Sequence, residues 1–284
     1  MEIMYIVLGA AGNVGSRVIE ALRPAGEKIF ALVHSEQKAS AVDGGNVEAV
    51  ALDVLDSAAL RAVFQRGRRA FLLNPPADPT TDTNAEELKT ARSIAAALKD
   101  SDLEKLVVQS TYGARQGDGI GDLSVLYEFE RLAEASGIPT AINRAAYYYT
   151  NFDMLLEPAR TGLITTAFPD NFVLPMVSPA DLGKAAAARL SGPVSNVGIE
   201  YVEGPQRYSF ADVAAAFSAV VGRSVSLATT PRDRLEESFR KLGFSPAAAR
   251  SYTRMTEATL DGPELPREPN RGAITLEDHV AALR

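Results

Sequence analysis

The stretch IVLGAAGNVGSRVIEAL, Ile6 to Leu22, places Gly9, Gly12 and Gly15 between a short apolar run and an amphipathic one. The run before the glycines, MYIVL, is continuous and rich in β-branched residues, as a strand buried on both faces should be. The run after them repeats Val14, Val18, Ile19 and Leu22 at helical spacing, which suits a helix laid against a sheet. A strand-to-helix turn made of glycines lets backbone approach backbone, and leaves the first amides of the helix facing outward. Such a turn, following a first strand and opening a first helix, is a phosphate cradle. The spacing is G-x-x-G-x-x-G, and the separate jobs of a tight turn, close approach of a pyrophosphate and close helix packing survive that change.

Downstream, strand-like runs alternate with helical ones. KIFALV, VEAVALD, RAFLLN, KLVVQS and PTAINR have the strand character, and SAALRAVFQ, NAEELKTARSIAAALKD and VLYEFERLAEASG the helical periodicity. The pattern predicts an α/β fold of Rossmann type, a doubly wound parallel sheet covered on both faces. From about Tyr147 the texture turns aromatic and proline-broken, as in a cleft wall. The expected organisation is a nucleotide-binding domain over residues 1–150 and a smaller, mostly helical substrate lobe over 151–284. Part of the segment near 177–205 is expected to return to the main sheet. SPAD at Ser178, SFAD at Ser209 and TLED at Thr275 read as helix starts. From YVEGP onward one or two extra strands are expected.

The chain of 284 residues has no cysteine and only two histidines, His34 and His279. That excludes a disulfide framework, a thiol nucleophile, thiolate metal ligation and imidazole-rich metal sites. A net charge of −7 argues against nucleic acid as a partner. The densest basic stretch, RGRR at Arg66–Arg69, reads as a solvated helix end. The opening MEIMYIV lacks a basic leader, and no apolar run nears the ~20 residues of a membrane helix. The expectation is a cytoplasmic protein acting on a small molecule, with a homodimer or a regulatory protein as a conceivable partner.

The end of the second strand distinguishes the nucleotides. An NAD site usually ends it with an acidic residue for the ribose hydroxyls; here FALVHSEQK offers His34, Ser35 and Lys38. If these meet a 2′-phosphate, each charge-assisted bond contributes ~1.5–3 kcal/mol, and NADP(H) is preferred over NAD(H). A solvated loop is the plainer alternative. Asp53, with Val54 beside it, ends the third strand where it could face the adenine, or simply cap a helix near Ser57.

VLGAAGNVG, FLLNPP, QSTYGA, SGIPTAINRAAYYYTNF and VSPADLG, in that order over nearly the whole chain, resemble the NmrA-like branch of atypical short-chain dehydrogenases. The resemblance implies NAD(P) between a Rossmann domain and a substrate lobe, in a family spanning quinone-type reductases and cofactor-sensing regulators. It puts Gly9, Ala11, Gly12, Asn13 and Val14 at the pyrophosphate, and Asn74 and Pro75 beside the nicotinamide ribose. Asn151 and Phe152 would close over the nicotinamide. His34 stands where NADP-binding relatives often carry arginine.

Ordinary short-chain dehydrogenases use Tyr-x-x-x-Lys, in which the ammonium lowers the phenol's pKa for proton transfer. Tyr127 and Arg131 share a helical face four apart, but they are out of register. Counted back from Glu130 and the Ser136–Gly137 pair, the family's Tyr and Lys slots fall on Asp122 and Leu126. Thr111 and Tyr112, ending the fifth strand, are the remaining hydroxyls near the ring. Tyr147 and Tyr148 offer flat aromatic walls for a conjugated substrate. Two functions remain: hydride transfer from NADPH to a quinone-like or aromatic electrophile without the Tyr-Lys dyad, or NAD(P) sensing through a partner protein without turnover. An epimerase would need the missing dyad.

Overall fold

The strand before the glycines is buried along its whole length. It is β1, Tyr5–Leu8, and its side chains alternate between two cores, Tyr5 and Val7 on one face of the sheet and Ile6 and Leu8 on the other. A computed structural model describes residues 4–262 and 265–284; Met1–Ile3, the start of the MEIMYIV stretch, lie outside the described residues. The chain continues with α1 (Asn13–Leu22), β2 (Ile29–Val33), α2 (Glu36–Val42), β3 (Val47–Ala51), α3 (Ser57–Phe64) and β4 (Arg69–Leu72). Then come α4 (Thr83–Leu98), β5 (Lys105–Thr111), α5 (Asp122–Ala135) and β6 (Thr140–Ala145).

The second half holds β7 (Tyr147–Tyr148), a 3₁₀ segment over Tyr149–Leu155, α6 (Leu156–Thr161), β8 (Leu163–Thr166), β9 (Val173–Val177) and α7 (Pro179–Ser191). It ends with β10 (Gly198–Glu203), β11 (Arg207–Ser209), α8 (Phe210–Val221), β12 (Ser226–Thr229), α9 (Leu235–Lys241), α10 (Pro246–Leu260), β13 (Asn270–Arg271) and α11 (Leu276–Ala281). The main sheet has eight strands in the order β13-β10-β6-β5-β4-β1-β2-β3, and every pairing in it is parallel. Helices α1, α2 and α7 cover one face, and α3, α4 and α5 the other. Strand order reverses between β1 and β4, so the carboxyl ends of these two strands form the crevice where open α/β sheets take ligands.

The lobe is a smaller body of helices braced by two short sheets, β11-β9-β7 and β12-β8. Its core gathers Tyr149, Phe152, Phe168, Tyr208, Phe210 and Phe217. The lobe is not continuous in sequence: α7 packs on α1, and β10 and β13 extend the main sheet beyond β6. Past Tyr201 there are three further short strands, β11, β12 and β13, where one or two were expected. Two of them are too short to carry a period. The three predicted caps form: the side chains of Ser178, Ser209 and Thr275 accept from Ala180, Asp212 and Asp278 amides, and Asp212 closes a capping box.

The RGRR stretch is a solvated helix end only at Arg66, exposed just past α3. Arg69 is 8% exposed and donates to the carbonyls of Leu190, Ser191 and Gly192 at the carboxyl end of α7. Lys105 donates there too, to Arg189 and Pro193. These cations satisfy the orphan carbonyls of a helix end. On the other side of the sheet, Glu130 is fully buried and grips Arg144 through two bonds of 2.8 and 2.7 Å, with Ser110 donating a third at 2.5 Å. That bidentate pair ties α5 to β6. Among the described residues no helix is long and apolar enough to cross a membrane.

Candidate functional site: the crevice at the carboxyl edge of the sheet

The glycine turn is built by contact. Gly9 adopts φ +71°, and a side chain there would also meet Leu73. Gly12 is the N-cap of α1, with extended backbone, and its amide donates to the Gly9 carbonyl at 2.9 Å. A Cβ on Gly15 would fall 2.2 Å from that same carbonyl oxygen, so only glycine lets α1 start this close to the turn. No side chain caps α1 and no acidic residue sits in its first turn. Its opening amides and positive dipole end therefore face the crevice without an internal anion. This cradle fits a pyrophosphate on its own geometry: small where the anion must approach, and rich in unclaimed donors. Asn13 is exposed, Ala11 partly buried, and Val14 buried beneath the helix.

His34 follows β2 and is exposed. The following segment is not a solvated loop: it is α2, with Ser35 as N-cap accepting from the Lys38 amide at 3.3 Å. Lys38 thus occupies the first turn of a helix, exposed, and among the described residues its ammonium pairs with no carboxylate. Asp53 is not a helix cap; its carboxylate accepts from Leu55 at 2.9 Å, and Asp56 caps α3 through Ala58 and Ala59. The Val54 carbonyl accepts from Ser93.

Asn74 and Pro75 follow β4 at the crevice floor. The Asn74 amide donates to the Glu87 carbonyl at 3.0 Å, and the Ala77 amide donates to the Glu87 carboxylate at 3.0 Å. Among the described residues the buried Asn74 side-chain oxygen has no partner. Glu87 is 4% exposed. Burial, reinforced by the charge of Asp122, raises its pKa to about 7. Asp122, the first residue of α5, is likewise pushed up by burial.

Thr111 ends β5, partly buried. Tyr112 is buried in the core on the α1 side of the sheet, edge-on to Tyr201 at 5.0 Å, and among the described residues its hydroxyl has no partner. Burial, with the charge of Glu203 adding to it, pushes its phenol well up, the opposite of what a Lys neighbour does for a catalytic tyrosine. Tyr127 lies under the Arg131 guanidinium at 5.6 Å, and Arg131 pairs with Glu134; this face is a surface contact along α5. The aromatic triple divides. Tyr149 is fully buried in the lobe core, with its hydroxyl donating to Ile274. Tyr147 and Tyr148 are partly buried. Burial raises both phenols, Asn151 working against it at Tyr147 and the Asp122 charge adding to it at Tyr148. Phe152 is 2% exposed and packs tilted against Tyr147 and edge-on to Phe210; it supports the wall from behind, while Asn151 is exposed.

What sequence reasoning missed is the convergence of Glu87, Asp122 and Tyr252. They come from α4, α5 and α10, and no local pattern connects them.

Fold and crevice together define a Rossmann-type α/β protein with a lobe at the carboxyl edge of its sheet. The NmrA-like family model matches residues 3–258, and the chain belongs to the NmrA-like family. It is similar to the NAD(P)H azoreductase of Xenophilus azovorans, 22% identical over 253 residues that cover 87% of this chain and 84% of that protein. Its fold is that of the Citrobacter sp. triphenylmethane reductase complexed with NADP(H), with a TM-score of 0.83, 19% identity, and coverage of 99% and 100% of the two chains. It is also that of the NADPH-dependent quinone oxidoreductase of Escherichia coli complexed with NADPH, with a TM-score of 0.78, 20% identity and 99% coverage of each chain.

Proposed function

We propose that this chain is an NADPH-preferring oxidoreductase that passes hydride to a small conjugated acceptor, quinone-like or aromatic. One observation carries the reading: the uncapped start of α1 stands over a glycine turn that admits no side chain at Gly9 or Gly15, at the strand-order reversal. In this reading Gly9, Ala11, Gly12, Asn13 and Val14 hold the pyrophosphate. His34, Ser35 and Lys38 take the 2′-phosphate, with NADH accepted more weakly. Asp53 and Val54 flank the adenine, and Asn74 and Pro75 the nicotinamide ribose. When bound, the reduced nicotinamide supplies the hydride.

The chain's own residues then position the acceptor. Tyr147 and Tyr148 present ring faces for a flat substrate, Asn151 a polar contact, and Phe152 the packing behind them. Thr111 offers a hydroxyl at the end of β5. With Leu126 in the lysine slot, no ammonium serves a tyrosine there, which favours acceptors that stabilise their own anion. The names of the relatives support the reading: an azoreductase, a triphenylmethane reductase and a quinone oxidoreductase all reduce conjugated acceptors.

The test is incubation of the pure protein with NADPH and a panel of quinones, azo dyes and cationic triarylmethane dyes, following loss of nicotinamide absorbance. Saturable oxidation with at least one acceptor is expected. Saturable binding without oxidation by any acceptor would replace the reductase with a sensor.

A further inference from the structure

The C-terminal helix α11 reaches back to the start of α1. After β13 the chain is fastened to α7 and to the lobe. The Ile274 amide donates to the Asp181 carboxylate at 2.9 Å, the Leu276 amide donates to the Tyr208 hydroxyl at 3.1 Å, and the Tyr149 hydroxyl donates to the Ile274 carbonyl at 3.3 Å. Leu276 and Val280 then pack into the lobe core. His279, on the same helix, meets the Asp153 carboxylate through Nε2 at 2.7 Å, and its ring centre lies 5.5 Å from that of Tyr149. The imidazole is thus held in place by the 3₁₀ segment.

The ring also borders a cavity of about 140 Å³, which it shares with Asn13 and Arg17 of α1, Thr150 of the 3₁₀ segment and Ser178 at the start of α7. Asn13 is the first residue of α1, so this cavity lies beside the uncapped amides of the glycine turn. Its polar groups are uncommitted: among the described residues the Asn13 side-chain amide, the Thr150 hydroxyl and His279 Nδ1 have no hydrogen-bond partner. Among the described residues no carboxylate lines the cavity. The acids around it are engaged elsewhere, Glu20 with Arg17 at 2.7 Å, Asp181 with the Ile274 amide and Asp153 with His279 itself. Glu277 and Asp278 on α11 are exposed, as is Lys184 of α7, 4.0 Å from Asp181. A guanidinium, an imidazole, a hydroxyl and an amide with no acid among them suit an oxyanion. The space is that of a few waters at ~30 Å³ each, enough for phosphate oxygens.

We propose that His279, carried by the lobe, donates from Nδ1 to the diphosphate of the bound dinucleotide, with Asn13 and Thr150 beside it. This rests on the nucleotide-binding part of the proposed function and is independent of turnover. With the Asp153 carboxylate accepting from Nε2 and a phosphate oxygen from Nδ1, both ring nitrogens donate, so the ring binds as imidazolium. A lobe residue then shares one anion with the opening amides of α1, and the nucleotide joins the lobe to the main sheet. Both nucleotides carry the diphosphate, so this contact strengthens NADPH and NADH alike, whereas His34, Ser35 and Lys38 act on the 2′-phosphate alone.

The chain has only two histidines, His34 and His279, so imidazole ¹⁵N NMR follows each one, with His279→Gln assigning the signals. At neutral pH, NADPH and NADH should each bring the His279 nitrogens to imidazolium shifts, while NADPH alone moves those of His34. His279→Gln should weaken both nucleotides by about tenfold and leave their affinity ratio unchanged. Asp153→Asn still accepts from Nε2 and keeps the imidazole, so its affinities should stay within about threefold of wild type, the worth of an exposed pair. Nucleotide binding that leaves the His279 nitrogens unmoved, or equal losses in the two variants, makes His279 an anchor of α11 and overturns the contact. A His279 response to inorganic phosphate with none to either nucleotide gives the cavity to a separate oxyanion and overturns it too. If neither nucleotide binds the wild type, the nucleotide reading itself fails and the contact falls with it.

Discussion

The α-carbon of Gly15 faces the carbonyl of Gly9 so closely that a Cβ on Gly15 would lie 2.2 Å from the oxygen and 2.7 Å from the carbon. Both obstacles are backbone, so they cannot rotate away. Gly12 is different: its φ is −86° and a Cβ would sit 3.2 Å from the same oxygen. Gly15→Ala should therefore lose about 2 kcal/mol of stability through overpacking, read by urea denaturation. Gly12→Ala should keep most of its stability yet lose NADPH affinity, because its methyl intrudes where the anion approaches. Equal effects of the two substitutions on stability would contradict this division of labour.

Lys38 sits in the first turn of α2 with no carboxylate partner among the described residues. Removing one charge-assisted bond to a 2′-phosphate costs about 1.5–3 kcal/mol. Lys38→Ala should thus weaken NADPH binding by about tenfold or more and leave NADH binding unchanged. The difference should shrink with added salt, since the group is exposed. Equal wild-type affinities for the two nucleotides would remove the phosphate clamp.

Glu87 gives a pH signature. Its folded value of about 7 stands above the ordinary 4.5, raised by burial and then by the Asp122 charge. The folded state therefore binds this proton more tightly than the unfolded state. The resulting stability is full below pH 4.5 and is lost as pH rises through 7, by up to about 3 kcal/mol. Glu87→Gln cannot ionise and still offers an oxygen to the Ala77 amide. Thermal melts should show the variant gaining on the wild type from pH 5 to pH 8, and a constant difference would contradict the assignment.

Tyr127 is held against Arg131, and Arg131 is engaged by Glu134. Tyr127→Phe keeps the ring and removes the hydroxyl. Turnover should stay within about twofold, as for surface changes away from special features. A collapse of kcat with NADPH binding intact would return Tyr127 to the chemistry.

The parallel sheet was legible because β1 to β6 are apolar runs bounded by helical ones, and burial on both faces leaves that mark in the residues themselves. The caps at Ser178, Ser209 and Thr275 were legible for a similar reason, since capping is local chemistry. α2 was not: EQKASAV is short and buries only Ala39, so its periodicity is too weak to separate it from a loop. Arg69 looked like a surface charge because its carbonyl partners lie more than a hundred residues away in sequence, at the end of α7. The influence of Asp122 on Glu87 comes from α4 lying against α5, and no window of the sequence contains it. The crevice itself was readable from its glycines; what lines its far wall depended on tertiary packing.

In the proposed function the bare turn at Gly9, Gly12 and Gly15 grips a dinucleotide diphosphate. Isothermal calorimetry with NADPH and NADH tests it directly. Saturable, one-to-one binding of NADPH is expected, tighter than NADH and weakened in Gly12→Ala. Heats of dilution alone for both nucleotides at millimolar concentration would contradict it.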